Sequence, residues 1–368
     1  MMKPLPDWTT PARVILAMPG SRQSPKDRTD IIRDYALFLR KHDIPVTVLI
    51  NKITKSKILE AFTEQSVETL DIKAGDIWIR DWAPLLCERD GKLVAVKFKY
   101  PHTYPYSPRL DNKAGRELAE RLGIELIESD IIWELGNFTT NGKDIIVTDQ
   151  VLKANHLKRP ETLRNRLVDK LGFDPKIRIH VLPVLEQDSM VWKLHGLDIR
   201  DTICHIDGYM RFIDTRKIVW WKPLMGSLGQ AIWRIKCGFL LKPDERKLSF
   251  WESYYLKERK MISLAYWLLR QGKKMFPLEC MVTMDKFYDK VTENETITDF
   301  GDYINFLRFG NKVFVPQYYP RPNDRESAAL SVYQKAGAEV IPVREPIVNK
   351  LAMAGGVLNC AAWVVYKV

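Results

Sequence analysis

The sequence predicts an α/β fold: about five ββαβ modules set in a pseudo-symmetric five-bladed α/β propeller, with one basic helical insertion. Three observations lead there. Hairpin signals recur along the chain. Amphipathic helices and β-branched strands follow them in a repeated order. Polar residues stand just before each hairpin, as they would if all hairpins opened on one cleft.

The hairpins come first. "APLLCERDGKLVAVKF" places Asp90-Gly91 between two apolar runs, and "NFTTNGKDIIVTD" does the same around Asn141-Gly142. "GYMRFIDTRKIVWW" turns near Asp214-Thr215-Arg216, and "INFLRFGNKVFVPQY" turns at Gly310-Asn311. Asp, Asn and Gly accept the positive φ that tight hairpin turns require. Helices with apolar residues at i, i+3 and i+4 are predicted over 26–43, 55–66, 111–123, 159–173 and 323–337. All but the second run directly into a strand: 44–50, 124–129, 176–183 and 338–343 respectively. Modules of this kind must bury their apolar faces against one another, so a ring is the economical arrangement. An open mixed sheet is the alternative. N-terminal "RVILAMP" and C-terminal "NCAAWVVYKV" would pair to close the ring. One catalytic domain over 1–368 is expected, with residues 221–290 inserted in it.

Composition narrows the class. The chain has 368 residues, 46% of them hydrophobic, and suits a soluble globular protein. No stretch approaches a membrane-spanning length, and the start lacks a signal-peptide core, so a cytoplasmic location is expected. Five cysteines without a CxxC spacing argue against a disulfide framework or a zinc ribbon. The net charge of +11 is concentrated between Arg216 and Lys274, where fourteen Lys or Arg meet four acids. The rest is close to neutral, so nucleic acid is not the expected partner. The basic segment reads as an appended helical layer with solvated charges, or as a docking face for an anionic surface or a protein partner.

The hairpin mouths carry the chemistry. They hold Asp76, Arg80 and Asp81; then Glu134 and Asn137; then His205 and Asp207; then Asp302 and Asn305. The closing strand adds Gly355, Gly356 and Cys360. Converging carboxylates need a cation between them. A metal is one option, but one His, several acids and a lone Cys fit zinc or magnesium poorly. An organic cation fits better. Guanidinium is planar, permanently charged and able to donate bidentately to two carboxylates. Its central carbon would then sit above Cys360, whose thiolate a bound cation favours. His205 could protonate the departing amine and then activate water. Asp207 is expected two positions along the same strand face as His205, with Cys204 turned to the other face as a structural residue.

Taken in order, these motifs resemble the guanidino-group-modifying (pentein) superfamily, in its branch of agmatine deiminases and bacterial peptidylarginine deiminases. Trp78-Ile79-Arg80-Asp81 resembles W-x-R-D, Glu134-Leu135-Gly136-Asn137 resembles E-G-G-N, and His205-Ile206-Asp207 resembles H-x-D. Asp302-Tyr303-Ile304-Asn305-Phe306 is similar to S-Y-x-N-F, and "GGVLNC" matches G-G-x-x-x-C. The resemblance spans residues ~5–220 and ~295–365. It implies hydrolytic deimination at a cysteine nucleophile, Cys360, with guanidinium-binding acids at Asp81 and Asp207, the acid/base at His205 and a supporting acid at Glu134. Trp78, Asn305, Gly355, Gly356 and Asn359 are expected around the substrate. The substrate would be a small guanidino compound or an arginyl peptide, with no cofactor. Four departures lie near that substrate: Leu135 for a glycine, Asn359 where a histidine is usual, Ala361-Ala362-Trp363 after the cysteine, and Trp82-Ala83 for a smaller pair. Amidinotransfer through the same covalent intermediate, and a non-catalytic guanidine-binding scaffold, are the competing readings.

Overall fold

The computed structural model describes residues 1–19, 27–51, 56–101, 108–182, 205–221, 263–265, 267–278, 303–318, 324–344, 346–354 and 356–368. Five small sheets share one plan. In the first, β5 (Leu85–Arg89) and β6 (Lys92–Lys99) form an antiparallel hairpin, helix α4 (Pro108–Arg121) follows, and β7 (Glu125–Ile132) returns parallel to β6. The second is β8 (Thr139–Thr140), β9 (Asp144–Thr148) and parallel β10 (Arg178–Leu182), the last two joined through α5 (Gln150–Ala154) and α6 (Pro160–Leu171). The third is β11 (Met210–Phe212), β12 (Lys217–Trp221) and β13 (Lys274–Leu278). The fourth is β14 (Leu307–Phe309), β15 (Lys312–Pro316), α7 (Asp324–Lys335) and β16 (Glu339–Val343).

The fifth sheet joins the two ends of the chain. β17 (Trp363–Tyr366) lies antiparallel to β2 (Pro11–Ala17), with Trp363 opposite Ile15 and Val364 opposite Val14. Helix α1 (Asp27–Lys41) then leads to β3 (Val46–Ile50), parallel to β2, and α2 (Ser56–Glu64) leads to β4 (Glu68–Asp71). The expected pairing of the two termini is therefore present. Short β1 (Met2–Pro4) adds to the free edge of β5. Among the described residues none of the five sheets closes on itself.

Local chemistry explains most of these elements. Asp90 and Gly91 both adopt positive φ, 53° and 74°, as a two-residue hairpin turn demands. Middle strands are buried on both faces: all five residues of β9 are buried, as are Val94–Phe98 of β6. Outer strands β4, β7 and β16 alternate or face solvent. That gradient is what a sheet covered by helices and neighbouring sheets produces. Two apolar clusters result, one around β2, β3, β12, β15 and β17, the other around β5, β6, β9 and α6.

The basic segment differs from expectation. Lys274–Leu278, inside the span read as a helical insertion, is the parallel strand of the third sheet, and residues 263–265 and 267–270 before it are helical. The third module thus has its own helix and strand, and 221–290 is in part an enlarged crossover from β12 to β13. Its mixed aromatic and basic composition hid the strand's short apolar run. Residues 222–262, 266 and 279–290 lie outside the described residues, as do Cys204, Asp302 and Gly355. Among the described residues no helix is long and apolar enough to cross a membrane.

One ionic cluster ties the second sheet to the third. Buried Asp144 accepts from Arg178 Nη2 at 2.7 Å, His180 Nε2 at 3.0 Å and Asn141 Nδ2 at 3.0 Å, with Lys273 Nζ at 3.7 Å. Burial alone would raise its pKa, but the hydrogen bonds from His180 and Asn141 and the Arg178 charge outweigh burial and hold it at about 2. The folded state therefore keeps the carboxylate ionised where the unfolded chain takes up a proton. Its contribution is complete above the usual value of 3.8 and is lost as pH falls towards about 2. Asp144→Asn is expected to cost about 1–3 kcal/mol at neutral pH and to flatten this acid limb, as read by denaturant unfolding across pH.

Candidate active site

Three connecting segments and the closing segment converge at the hairpin mouths. Asp81 sits on α3 (Ile79–Trp82), a single helical turn that ends where Ala83 goes extended ahead of Pro84. Glu134 precedes a 3-10 turn at Leu135–Asn137, and His205 precedes another at Ile206–Gly208, which carries Asp207. His205 and Asp207 are therefore brought together by a turn. The strand alternation expected from their spacing is not what aligns them, because β11 begins only at Met210. Cys360 lies in the turn before β17.

The distances define one compact group. His205 is held between two carboxylates: Nε2 lies 2.9 Å from Glu134 Oε2 and Nδ1 lies 3.4 Å from Asp81 Oδ1. Asp81 Oδ1 also accepts from the Gly136 backbone N–H at 3.1 Å. Asp207 Oδ2 accepts from Asn359 Nδ2 at 2.7 Å and stands 4.0 Å from Cys360 Sγ. Asn305 donates through Nδ2 to Sγ at 3.1 Å, while its Oδ1 accepts from the Asn359 N–H at 2.9 Å. Asp81, Glu134, His205 and Asp207 are all buried; Cys360 is partly open.

Electrostatics follows from that crowding. Burial disfavours the His205 imidazolium, but Asp81 and Glu134 outweigh it and raise the histidine above its ordinary value. Burial raises Asp81, and Glu134 and Asp207 add to the rise while His205 opposes it. Burial, then Asp207 and Asp81, push the Cys360 thiol well above its ordinary value, against the donor from Asn305. The site is thus an anionic pocket holding a protonated thiol. A bound cation would offset the acids that oppose loss of the thiol proton.

Two buried acceptors point the same way. Glu134 Oε1 and Asn359 Oδ1 have no hydrogen-bond partner among the described residues. A flat donor with several N–H groups would satisfy both. Among the described residues no three His, Cys, Asp or Glu side chains are grouped to hold a metal ion.

Close packing fixes the floor and wall. A Cβ on Gly356 would meet the Trp78 ring at 2.6 Å and the Cys360 Cβ at 3.0 Å, so Trp78 packs directly on the segment bearing the thiol. A Cβ on Gly136 would come within 2.5 Å of both Asp81 Oδ1 and His205 Nδ1. Gly136→Ala is therefore expected to break the Asp81–His205 contact and lower kcat/KM at least ~100-fold, at a stability cost of about 1–3 kcal/mol. Steady-state kinetics beside thermal unfolding separates the two effects.

Not every residue at the hairpin mouths joins this group. Asn137 pairs its side-chain amide with Thr148, donating at 2.7 Å and accepting at 2.7 Å, and so locks its turn onto β9. Asp76 binds Arg28 at 3.1 Å and the Ile77 N–H at 2.6 Å. Asn305, by contrast, does belong to the group: 3% exposed, it is turned to the sulfur and the Asn359 backbone. Two contributors were not singled out in the sequence. Gly136 was legible only as a glycine inside Glu-Leu-Gly-Asn. Tyr35, whose hydroxyl donates to the Leu358 carbonyl at 3.2 Å, looks like any core residue of α1.

Comparison with known proteins places this geometry. The sequence model of the Porphyromonas-type peptidyl-arginine deiminase family matches residues 3–227, more than half of the chain. No curated protein matches the sequence. Among solved structures, the agmatine deiminase of C. jejuni superposes with a TM-score of 0.67 at 18% identity, covering 100% of this chain and 97% of that one. A cysteine-to-serine variant of it with substrate bound gives 0.71 at 20%, over 100% and 97%. An agmatine deiminase of Enterococcus faecalis gives 0.66 at 15%, over 100% and 96%. At such identities the superpositions speak for a shared fold, and the sequence match supplies the lineage. The chain belongs to the Porphyromonas-type peptidyl-arginine deiminase family.

Proposed function

We propose that this protein hydrolyses a guanidino compound of the agmatine, arginine or peptidyl-arginine type, releasing ammonia through a covalent intermediate on Cys360. The observation that carries the proposal is the convergence of Asp81, Glu134, His205 and Asp207 with the Cys360 sulfur, with acceptor atoms of Glu134 and Asn359 left for a cationic donor.

In this mechanism Asp81 and Asp207 hold the guanidinium, and Glu134 Oε1 and Asn359 Oδ1 accept further N–H groups. The bound positive charge offsets the Asp207 and Asp81 fields that keep the thiol protonated, so its proton leaves to solvent. Sγ attacks the guanidinium carbon and forms a C–S bond. The C–N bond to one amino group breaks, and that nitrogen takes a proton from His205 and leaves as ammonia. The thiouronium left on Cys360 is attacked by water, whose proton returns to His205. Cleavage of the C–S bond then yields the urea product and the free thiol. Asn305 Nδ2, 3.1 Å from Sγ, would stabilise the thiolate at both ends of the cycle. Trp78 and Gly356 would form the wall beside the substrate.

On the same reading the five sheets are the blades of a pseudo-symmetric propeller, the fifth completed by both termini. The chain acts as one cytoplasmic catalytic domain, with the basic crossover as an added face for an anionic surface or protein. The solved agmatine deiminase variant with substrate bound supports a small guanidino ligand for this fold. The test is ammonia release from agmatine, arginine and arginyl peptides without an amine acceptor. Release with any of them supports hydrolysis. A requirement for an amine acceptor would replace it with amidinotransfer, and tight binding without turnover would replace it with a scaffold.

A further inference from the structure

A cavity of about 30 Å³, lined by both polar and apolar side chains, adjoins the candidate active site. Arg80 and Asn359 line it, together with Asp7, Thr140, Arg211 and Tyr366. Its charges do not balance. Arg211, 2% exposed, pairs with Asp7 Oδ2, donates to the Phe306 carbonyl and stacks 3.9 Å from the centre of the Phe306 ring. The Tyr366 hydroxyl lies 3.4 Å from Asp7 Oδ1. Arg308, close by, donates to the carbonyls of Gly310 and Ile213 and has no carboxylate partner among the described residues. Arg80 reaches only the Asn359 carbonyl, through Nε at 3.5 Å, and likewise has no ion pair among the described residues.

One carboxylate therefore serves three guanidinium groups. The effect registers on both sides: burial would raise Asp7, yet Arg211, Arg80 and Arg308 together lower it, while burial and then Arg211 lower Arg308. Among the described residues Arg80 and Arg308 are thus left without a direct ion pair, which is costly in a setting this enclosed. The nearby active-site acids answer this positive charge only in part: against burial, and after Asp7, Asp207 raises Arg211 through space, while its own hydrogen bond goes to Asn359.

We propose that this cavity binds one small inorganic anion of halide size, held between the Arg80 and Arg211 guanidinium groups. The volume has room for one or two water-sized bodies, which suits a halide. The planar guanidinium forks provide the donors, since the Tyr366 hydroxyl already donates to Asp7. Such an ion would also fix Arg80, whose backbone N–H donates to the Cys360 carbonyl at 3.1 Å and whose neighbour is Asp81. The anion site does not depend on which reaction the thiol performs.

The test compares thermal unfolding of the full chain in sodium bromide and in sodium gluconate at equal ionic strength. A saturable bromide-specific rise of about 2 °C is expected at tenfold above Kd. Crystals soaked in bromide should show an anomalous peak between Arg80 and Arg211. Arg80→Gln should abolish the shift. Asp7→Asn, which removes the competing carboxylate, should move the bromide midpoint to lower concentration, and it keeps the test informative should the first variant fail to fold. Identical unfolding in the two salts, a bromide effect unchanged in the variants, or anomalous density only elsewhere would overturn the proposal.

Discussion

Replacing Cys360 by alanine is expected to cut ammonia release from a guanidino substrate at least about 1,000-fold while leaving guanidine binding nearly intact. The two halves of this expectation have separate causes. Turnover needs the C–S bond, and no other thiol among the described residues stands near the acids: Cys87 is fully buried in β5, and burial pushes its thiol up and keeps it inert. On the proposed reading binding rests on Asp81, Glu134 and Asp207, which are held by Gly136, His205 and Asn359 respectively. Calorimetry with the alanine variant and a coupled ammonia assay measure the halves independently. Retained turnover would remove the nucleophile; lost binding would mean that the thiol shapes the pocket rather than reacting in it.

Asp207→Asn should move two observables in opposite directions. Asp207 contributes, after burial, to the high pKa of the Cys360 thiol. Neutralising it lowers that pKa, so iodoacetamide should alkylate Cys360 of the free protein several-fold faster at about pH 8. The same change removes a charged acceptor for the guanidinium, and kcat/KM should fall about 30- to 1,000-fold. The shape of the side chain is preserved, and the asparagine oxygen can still accept from Asn359 Nδ2. Peptide mass mapping of the alkylated cysteine reads the first effect, and steady-state kinetics the second. A purely structural Asp207 would not make the thiol more reactive while making turnover slower. Slower alkylation together with unchanged kcat/KM would contradict the electrostatic account.

Much of the architecture was legible because its signals are local. Asp90-Gly91 and the 3.6-residue period of α4 and α6 each specify an element without help from the remainder of the chain. The closing pair β17–β2 was legible because both runs are apolar and stand near opposite ends of the sequence. The short pieces were not. α3 is four residues long, and β4 reads Glu-Thr-Leu-Asp, with no apolar alternation to announce it. β13 lies in a basic stretch whose pattern argued for helix; its pairing with β12 is a tertiary contact that no local window contains.

The site divides along the same line. Residue types that carry charge or a thiol stood out, and Asp81, Glu134, His205, Asp207 and Cys360 do meet. How they are joined did not stand out, even where the residue itself, Asn305, did. Asn305 acts on the sulfur and on the backbone beside it, and Gly136 is required because Asp81 and His205 occupy the space a side chain would take. Those requirements arise from segments between about 50 and 155 positions apart, so they exist only in three dimensions.

The central claim is that the Cys360 sulfur bonds to the guanidinium carbon. Acid quenching of the protein during turnover, followed by mass mapping, tests it most directly. The account predicts a peptide containing Cys360 that is heavier by the substrate less ammonia, present during turnover and lost once substrate is exhausted. Sustained ammonia release with that peptide always unmodified would contradict it.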